Sequence, residues 1–342
     1  MSLWTEEELE LVRENFLAGL QVNQIKANLA NSGFMRSLEA IKKRCRPLRE
    51  ELSNEAVKFI DSLKKESEKY LVKIPIRNAA DSSLLVHLSD THFGKVVKDL
   101  NGNVLFNSEI AKTRMAYVFD EAITIARDRD IKNIVVILGG DMIENELIFE
   151  SQAHHIDKPA LKQVNDAALS IWNGLKWMAE EGFNIDIYTV RGNHGRLKNT
   201  TSAETSNWDD ALYSIIKILA AESKLNITVK TTDWDVDTFI ISGWKCMLRH
   251  GAPGAAASTG AKVKYGNWYK LHEYDFVIFG HLHSPGWFDW QGCPIFRNGS
   301  FAEIDDYVEN LGLDGKPCQM IYVISKDELP VEIIPVWLDQ IR

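Results

Sequence analysis

Residues 80–342 predict an α/β domain, preceded by a small all-α domain at residues 1–50 and joined to it by a connecting helix and linker at 51–79. Three observations carry this reading. From residue 80 onward, short apolar runs alternate with segments of helical periodicity, the pattern of a sheet covered by helices. Residues 4–49 hold three short helical patterns separated by turns. Residues 51–79 mix both charge signs at helical spacing and then become extended through Pro75.

The totals agree. A chain of 342 residues with 45% hydrophobic and 25% charged content has the composition of a globular protein large enough for two domains. Its apolar runs are too short and interrupted for a membrane span, and the opening WTEEELELVREN is acidic and helical rather than basic then apolar, so a cytoplasmic location is expected. Cys45, Cys246, Cys293 and Cys318 form no CxxC pair and read as reduced thiols. A net charge of −9 argues against nucleic-acid binding by bulk charge and leaves room for a local basic face.

In the first fifty residues, Trp4, Leu9, Leu11, Val12 and Phe16 line one side of an acidic helix with Thr5 as its N-cap, and Gly19 ends it. Ile25 and Leu29 face inward from a second helix. Ser37 caps a third, LEAIKKRCR, which Pro47 is expected to end. This last helix carries Lys42, Lys43, Arg44, Arg46 and Arg49 against one acid, Glu39. The strings WTEEE, F.AG and GF.RS.EAI..R resemble a Myb/SANT-like helix-turn-helix domain. The resemblance implies that the third helix enters the major groove of DNA, with those five cations and Arg36 as candidate nucleic-acid contacts. The ordinary alternative is a basic solvated helix in a protein-contact domain.

The larger part has five apolar strands, each followed by a polar loop. LLVHL leads into SDTHFG, IVVIL into GGDMIEN, IDIYTV into RGNHGR, KCML into RHGAP, and FVIFG into HLHS. Near-continuous apolar strands are buried on both faces, and ligands gather where such strands end. Those loops supply Asp90, His92, Asp141, Asn193, His194, His250, His281 and His283. Taken singly, each loop has an ordinary explanation as a turn, a helix start or a strand end. Taken together, with five of the nine histidines at strand ends, they point to a metal site. Imidazole, carboxylate and amide donors without thiolate suit Mn, Fe or Zn. Two Asp, one Asn and four His suffice for two metals sharing Asp141, which leaves His194 as a catalytic acid. A metal pair supplies a nucleophile at neutral pH and holds attacking and leaving oxygens in line.

The ordered series SDTH, GGD, GNH, RHG and GHLH, over residues 83 to about 300, resembles the calcineurin-like metallophosphoesterase superfamily. That resemblance implies a two-sheet α/β sandwich flanked by helices, with a dinuclear centre at one edge. It implies two divalent ions, manganese first and iron or zinc otherwise. One would be held by Asp90, His92, Asp141 and His283, the other by Asp141, Asn193, His250 and His281. His194 would face the phosphate and the leaving oxygen, with Gly192 allowing the chain to turn sharply. The sequence departs from the family in one respect. Many members have an acidic residue after GNH that orients the histidine, whereas Gly195 stands here.

Arg191, Arg196, His155 and Asn298 are candidate substrate contacts, the last also a neighbour of the ligands in the RNGS turn. His155 and His154 lie in a polar insertion where a solvated loop is ordinary. Lys262 and Lys264 sit in GAPGAAASTGAKVKYGNW, expected to be a flap, and His87 and His272 read as packing residues. Trp4, Trp172, Trp177 and Trp337 sit at core spacings.

The expected function is a metal-dependent nuclease acting on DNA, since a basic helix-turn-helix beside a phosphoesterase joins an anchor to fitting chemistry. Its catalytic half resembles the Mre11/SbcD-type exonucleases and, more loosely, phage-encoded nuclease-like phosphoesterases. The alternative is a phosphatase or phosphodiesterase on small-molecule or protein phosphoesters, because one metal core serves many substrates. A metal-free scaffold is the third reading, disfavoured because all eight residues are present. No membrane partner is expected.

Overall fold

The computed structural model describes residues 4–67, 82–150, 152–197, 206–232, 234–251, 274–290, 292–303, 315–330 and 332–342. The expected linker at 68–79, the flap with Lys262 and Lys264, and His272 lie outside the described residues. The chain forms two compact units, Met1–Ile76 and Arg77–Arg342.

The first unit is three helices, α1 (Glu6–Leu17), α2 (Val22–Asn31) and α3 (Leu38–Ser67). Thr5 and Glu8 close a reciprocal capping box at the start of α1. Ser37 Oγ accepts the Ala40 N–H at 3.2 Å at the start of α3. Val12, Ile25, Leu29, Ile41 and Cys45 form the core, with Trp4, Leu11, Phe16 and Phe34 packed against it.

Two expectations fail here. Pro47 does not end the third helix: α3 runs on for 30 residues with Pro47 inside it. Proline removes one backbone hydrogen bond, but Leu48, Arg49, Glu50, Glu51 and Leu52 are strong helix formers that carry the helix onward. There is therefore no separate connecting helix from residue 51.

Arg36 is the second correction. Its Nε and Nη2 each reach a Glu8 oxygen at 2.6 Å, and its guanidinium lies 4.7 Å over the Trp4 ring. With side-chain exposures of 13% and 3%, Arg36 and Glu8 form an internal strut rather than a nucleic-acid contact. Lys42, Lys43, Arg44, Arg46 and Arg49 are exposed along α3.

The strut has a pH signature. Arg36 holds the Glu8 carboxyl down at about 2, against an ordinary 4.5. A carboxyl with a depressed folded pKa favours the folded state above its unfolded pKa, and that contribution disappears as pH falls through the folded value. Thermal unfolding followed from pH 5 down to about 2 should show a fall in the melting temperature of the helical unit between about 4.5 and 2. In an Arg36→Met variant that acid-dependent part should vanish. An unchanged acid profile in the variant would remove the strut from the account.

The second unit opens with β1 (Ser82–Leu88), a hairpin of β2 (Val97–Lys98) and β3 (Val104–Phe106), then α4 (Ser108–Asp128) and β4 (Asn133–Leu138). It continues with α5 (Ala160–Glu180), β5 (Asn184–Thr189), α6 (Trp208–Ser223) and β6 (Ile227–Lys230). Then follow β7 (Val236–Ile241), β8 (Trp244–Arg249), β9 (Phe276–Phe279), β10 (Gly286–Trp290), β11 (Cys293–Arg297), β12 (Cys318–Ser325) and β13 (Glu332–Trp337).

One sheet has the order β13-β12-β1-β4-β5-β6 and the other β10-β11-β9-β8-β7. Within the first, β1, β4, β5 and β6 are parallel neighbours, and β12 runs antiparallel to β1. Strand alternation divides the side chains. Leu84, Val86 and Leu88 join the layer containing α4, α5 and α6, while Leu85 and Ile137 meet Leu248, Phe276 and Ile278 of the other sheet. This is the expected two-sheet sandwich with helices. Two tryptophans read as core residues, Trp177 and Trp337, are instead 38% and 48% exposed. No helix among the described residues is long and apolar enough to cross a membrane.

Candidate metal centre

The five ligand-bearing loops all leave carboxyl ends of parallel strands: β1, β4 and β5 in one sheet, β8 and β9 in the other. Backbone bonds tie them together. Asp90 N–H donates to the Gly140 carbonyl at 3.0 Å, His92 N–H to that of Asp141 at 3.2 Å, and Gly280 N–H to that of His250 at 3.0 Å. Asp90, His92, Asp141, His281 and His283 all have positive φ, between 45° and 73°. Such angles are sparse for residues with a Cβ, and Asp and His tolerate them better than most. Each turns its side chain out of the strand direction. Strain of this kind is concentrated at functional sites.

The side chains converge. Ligand atoms of Asp90, His92 and His283 lie within 4.8 Å of one another, as do those of Asp141, His250 and His281. His92 Nε2 faces His283 Nε2 at 3.1 Å, and His283 Nε2 is 3.4 Å from Asp90 Oδ1. His250 Nε2 lies 2.9 Å from Asp141 Oδ2 and 3.1 Å from Asn193 Oδ1. Asp90, His92 and Asp141 are at most 1% exposed. Two buried carboxylates with imidazole nitrogens aimed at shared points make a donor set that fits a pair of divalent cations. The first group contains three of the four residues expected at one cation, and the second three of the four expected at the other, with Asn193 Oδ1 beside His250.

The charges respond to this crowding. Burial and the Asp141 carboxylate act oppositely on His250, and its pKa rises to about 10. Burial brings that of His92 down to about 4. Asp141 stays well below the usual carboxylate range in spite of burial, because His250 and His194 lie beside it.

Glu144 is the residue the sequence reading missed. Its Oε2 lies 2.8 Å from His92 Nδ1 and 3.3 Å from His194 Nδ1. The carboxylate missing after GNH is thus supplied from the loop after β4, three positions beyond Asp141. Against the opposing effect of burial, Glu144 and Asp141 raise the His194 pKa to about 9. Gln152 Nε2 steadies the arrangement, donating to the Glu144 carbonyl at 2.6 Å and lying 3.5 Å from His194 Nδ1. Nothing in GGDMIEN distinguishes Glu144 from any other acid in a polar loop, because its partner His194 lies fifty positions further on.

Asp209 was also missed. It is fully buried at the start of α6 and accepts backbone N–H bonds from Asp141 at 3.1 Å, Met142 at 3.2 Å and Gly192 at 2.8 Å. It fastens the loop after β4 to the loop after β5. Burial and the charge of Asp141 push its pKa to about 7. Nothing in NWDD distinguishes it from Asp210.

Several candidate substrate contacts have other partners. Arg191 Nε donates to Asp210 Oδ1 at 2.9 Å, so this guanidinium anchors the loop to α6 rather than standing open to phosphate. Asn298 is 0% exposed; its Nδ2 reaches the His87 carbonyl, Ser89 Oγ and Gln319 Oε1, and its Oδ1 accepts from Met320. It supports Ser89, whose hydroxyl donates to Asp90 Oδ2 at 2.6 Å, and its own polar atoms are engaged within the fold. Arg196 Nε donates to the Asn193 carbonyl at 2.8 Å, bracing the turn. His155 and His154 are exposed, and the His155 carbonyl accepts from Val96 at 2.8 Å. His87 is fully buried as expected, and among the described residues neither ring nitrogen has a hydrogen-bond partner. Gly192 is needed for space rather than for a left-handed turn: a Cβ there would lie 2.1 Å from both the Asp141 amide nitrogen and Oδ1.

Comparison with known proteins bears on the family. No curated protein matches the chain. Among solved structures it is similar to an archaeal phosphodiesterase at 15% identity, covering 74% of this chain and 99% of that one with a TM-score of 0.37. It is similar to zinc-bound Vps29 of Entamoeba histolytica at 12% identity, 75% and 99% coverage and a TM-score of 0.33. A hypothetical protein of Pyrococcus horikoshii gives 10%, 75%, 87% and 0.40 respectively. The calcineurin-like phosphoesterase family model matches residues 84–285, a span holding every one of the converging side chains. More than half of the sequence lies in that match, and the chain belongs to the calcineurin-like phosphoesterase family.

Proposed function

We propose that the chain is a two-metal phosphodiesterase that cuts DNA, with manganese as the working metal. The observation that supports it most is the meeting of seven metal-ligand side chains from five loops, with His194 and its carboxylate partner beside them. Asp90, His92, Asp141 and His283 would hold one cation, and Asp141, Asn193, His250 and His281 the other. Bound there, the cations supply charge neutralisation and a nucleophile at neutral pH.

The chain's own groups do the rest. The backbone N–H of His194 donates to Asp141 Oδ1 at 2.6 Å, which anchors the turn that carries the imidazole. With Nδ1 turned to Glu144, Nε2 is the atom that delivers a proton to the departing alkoxide. Glu144 stabilises the protonated ring before transfer. Phosphodiester cleavage is largely positioning and charge compensation, which such a site provides.

The preference for DNA rests on the five exposed cations of α3, a local basic face in a chain of net charge −9. The experiment is cleavage of labelled duplex and single-stranded DNA with Mn²⁺, beside an Asp141→Asn control. Binding is titrated over a range of salt. Log affinity should fall by roughly 0.9 per tenfold of salt for each phosphate neutralised. Turnover of bis(p-nitrophenyl) phosphate without DNA cleavage, and a flat salt response, would instead favour small-molecule or protein phosphoesters.

A further inference from the structure

Beside His194 stands an aromatic side chain that the chemistry above does not use. Phe149 is 42% exposed, yet its ring centroid lies only 4.8 Å from that of His194, tilted by 53°. Isolated exposed apolar residues are common and need no explanation. This one differs in how firmly its backbone is held. Gln152 Oε1 accepts from both Ile148 N–H at 2.9 Å and Phe149 N–H at 3.2 Å. The Phe149 carbonyl in turn accepts from Gln152 N–H at 3.3 Å. Asn145 fastens the start of the segment, donating to the carbonyls of His194 at 2.7 Å and Arg196 at 2.8 Å. Ile148 is buried between the two exposed side chains Leu147 and Phe149. The segment is thus a rigid ledge that holds a phenyl ring in solvent beside the proposed acid.

We propose that Phe149 is a stacking platform for the nucleobase on the leaving side of the scissile phosphodiester. The inference rests on the nuclease reading of the same site. His194 faces the leaving oxygen, so whatever group carries that oxygen passes over the ledge. In a nucleotide, that oxygen is one sugar away from a planar base. Every base offers a π-face, so one phenyl ring serves all four without reading sequence. A preorganised ring loses little conformational freedom when it is covered.

The test uses the full chain with Mn²⁺ and two substrates: a dinucleoside monophosphate, and its analogue lacking the base on the leaving side. Phe149→Ala should lower kcat/KM on the intact dinucleotide about tenfold, carried by KM, and leave the abasic analogue unchanged. Phe149→Trp should restore the wild-type value. Phe149→Leu keeps an apolar contact with His194 and should behave like the alanine variant. An equal loss on both substrates would overturn the proposal, showing that the ring serves only to position His194. No loss on either would overturn it as well. If the wild type hydrolyses bis(p-nitrophenyl) phosphate but neither nucleotide, the platform and the nuclease reading fail together while the phosphoesterase reading stands.

Discussion

Asp141→Asn is expected to abolish Mn²⁺-dependent phosphodiester hydrolysis and to erase the stabilisation that Mn²⁺ gives the wild type. Asp141 is 1% exposed, and its two oxygens face different ways. Oδ1 accepts the His194 N–H at 2.6 Å, and Oδ2 meets His250 Nε2 at 2.9 Å. It is the only residue assigned to both cations. Asparagine keeps the shape but loses the charge and replaces one acceptor by a donor. Either that donor points at the cations or it confronts the His194 N–H. In the wild type, a ligand at a hundredfold excess over its Kd stabilises the folded state by about 2.7 kcal/mol, which is several degrees of melting temperature. Calorimetric titration should count two Mn²⁺ per wild-type chain and weak uptake or none in Asp141→Asn. Asn193→Ala, which removes a donor assigned to one cation only, should retain one. Two ions bound to Asp141→Asn with wild-type affinity would refute the shared-carboxylate arrangement.

The convergence of the strand-end side chains was legible in the sequence because both of its components are local. A buried parallel strand announces itself as an apolar run, and the loop after it contributes its ligands within four residues. β1, β4, β5, β8 and β9 all have this form. What escaped was written across long separations. Glu144 finds His194 fifty residues away, and Asp209 finds the Asp141 backbone sixty-eight residues away. Neither acid stands out from its neighbours in the chain.

Asn298 and Arg191 were misjudged for a related reason. A polar side chain near a site reads as a substrate contact until its hydrogen bonds are counted, and both are engaged within the fold. Gly192 was placed correctly for the wrong reason, since sequence shows a glycine's freedom of φ but not the Asp141 carboxylate lying where a Cβ would go. Pro47 failed as a stop because one lost bond is weighed against the strong helix formers that follow it in a helix of 30 residues. β12 joining β1 as an antiparallel neighbour had no sequence signal at all, since the pairing joins residues more than two hundred positions apart.

His194 and Glu144 separate binding from chemistry, and the leaving group decides how visible they are. An alkoxide departing from a nucleotide is a poor leaving group and needs a proton; p-nitrophenolate is a good one and needs little. His194→Asn should therefore lower kcat on a dinucleotide by roughly 10²–10⁴-fold while bis(p-nitrophenyl) phosphate loses far less. Mn²⁺ uptake should persist, because only the backbone amide of His194 touches Asp141. Glu144→Gln is subtler. The amide removes the charge that counters burial and holds the His194 pKa at about 9, so a neutral ring becomes the resting form at lower pH. It also leaves only a neutral amide oxygen to accept from His92 Nδ1, where the carboxylate oxygen lay at 2.8 Å, and so weakens a tie that orients an assigned ligand. Loss of such a supporting partner typically costs 10–100-fold. The variant should lose activity on the dinucleotide within that range and lose its alkaline limb at lower pH than the wild type. Glu144→Asp should recover part of both. The signs follow from the charge: a carboxylate favours the protonated ring, so its removal shifts the loss of proton donation toward lower pH. Equal losses on both leaving groups in His194→Asn would mean that the imidazole neutralises the phosphate instead of donating a proton, and Glu144 would then be a supporter of charge rather than of proton transfer.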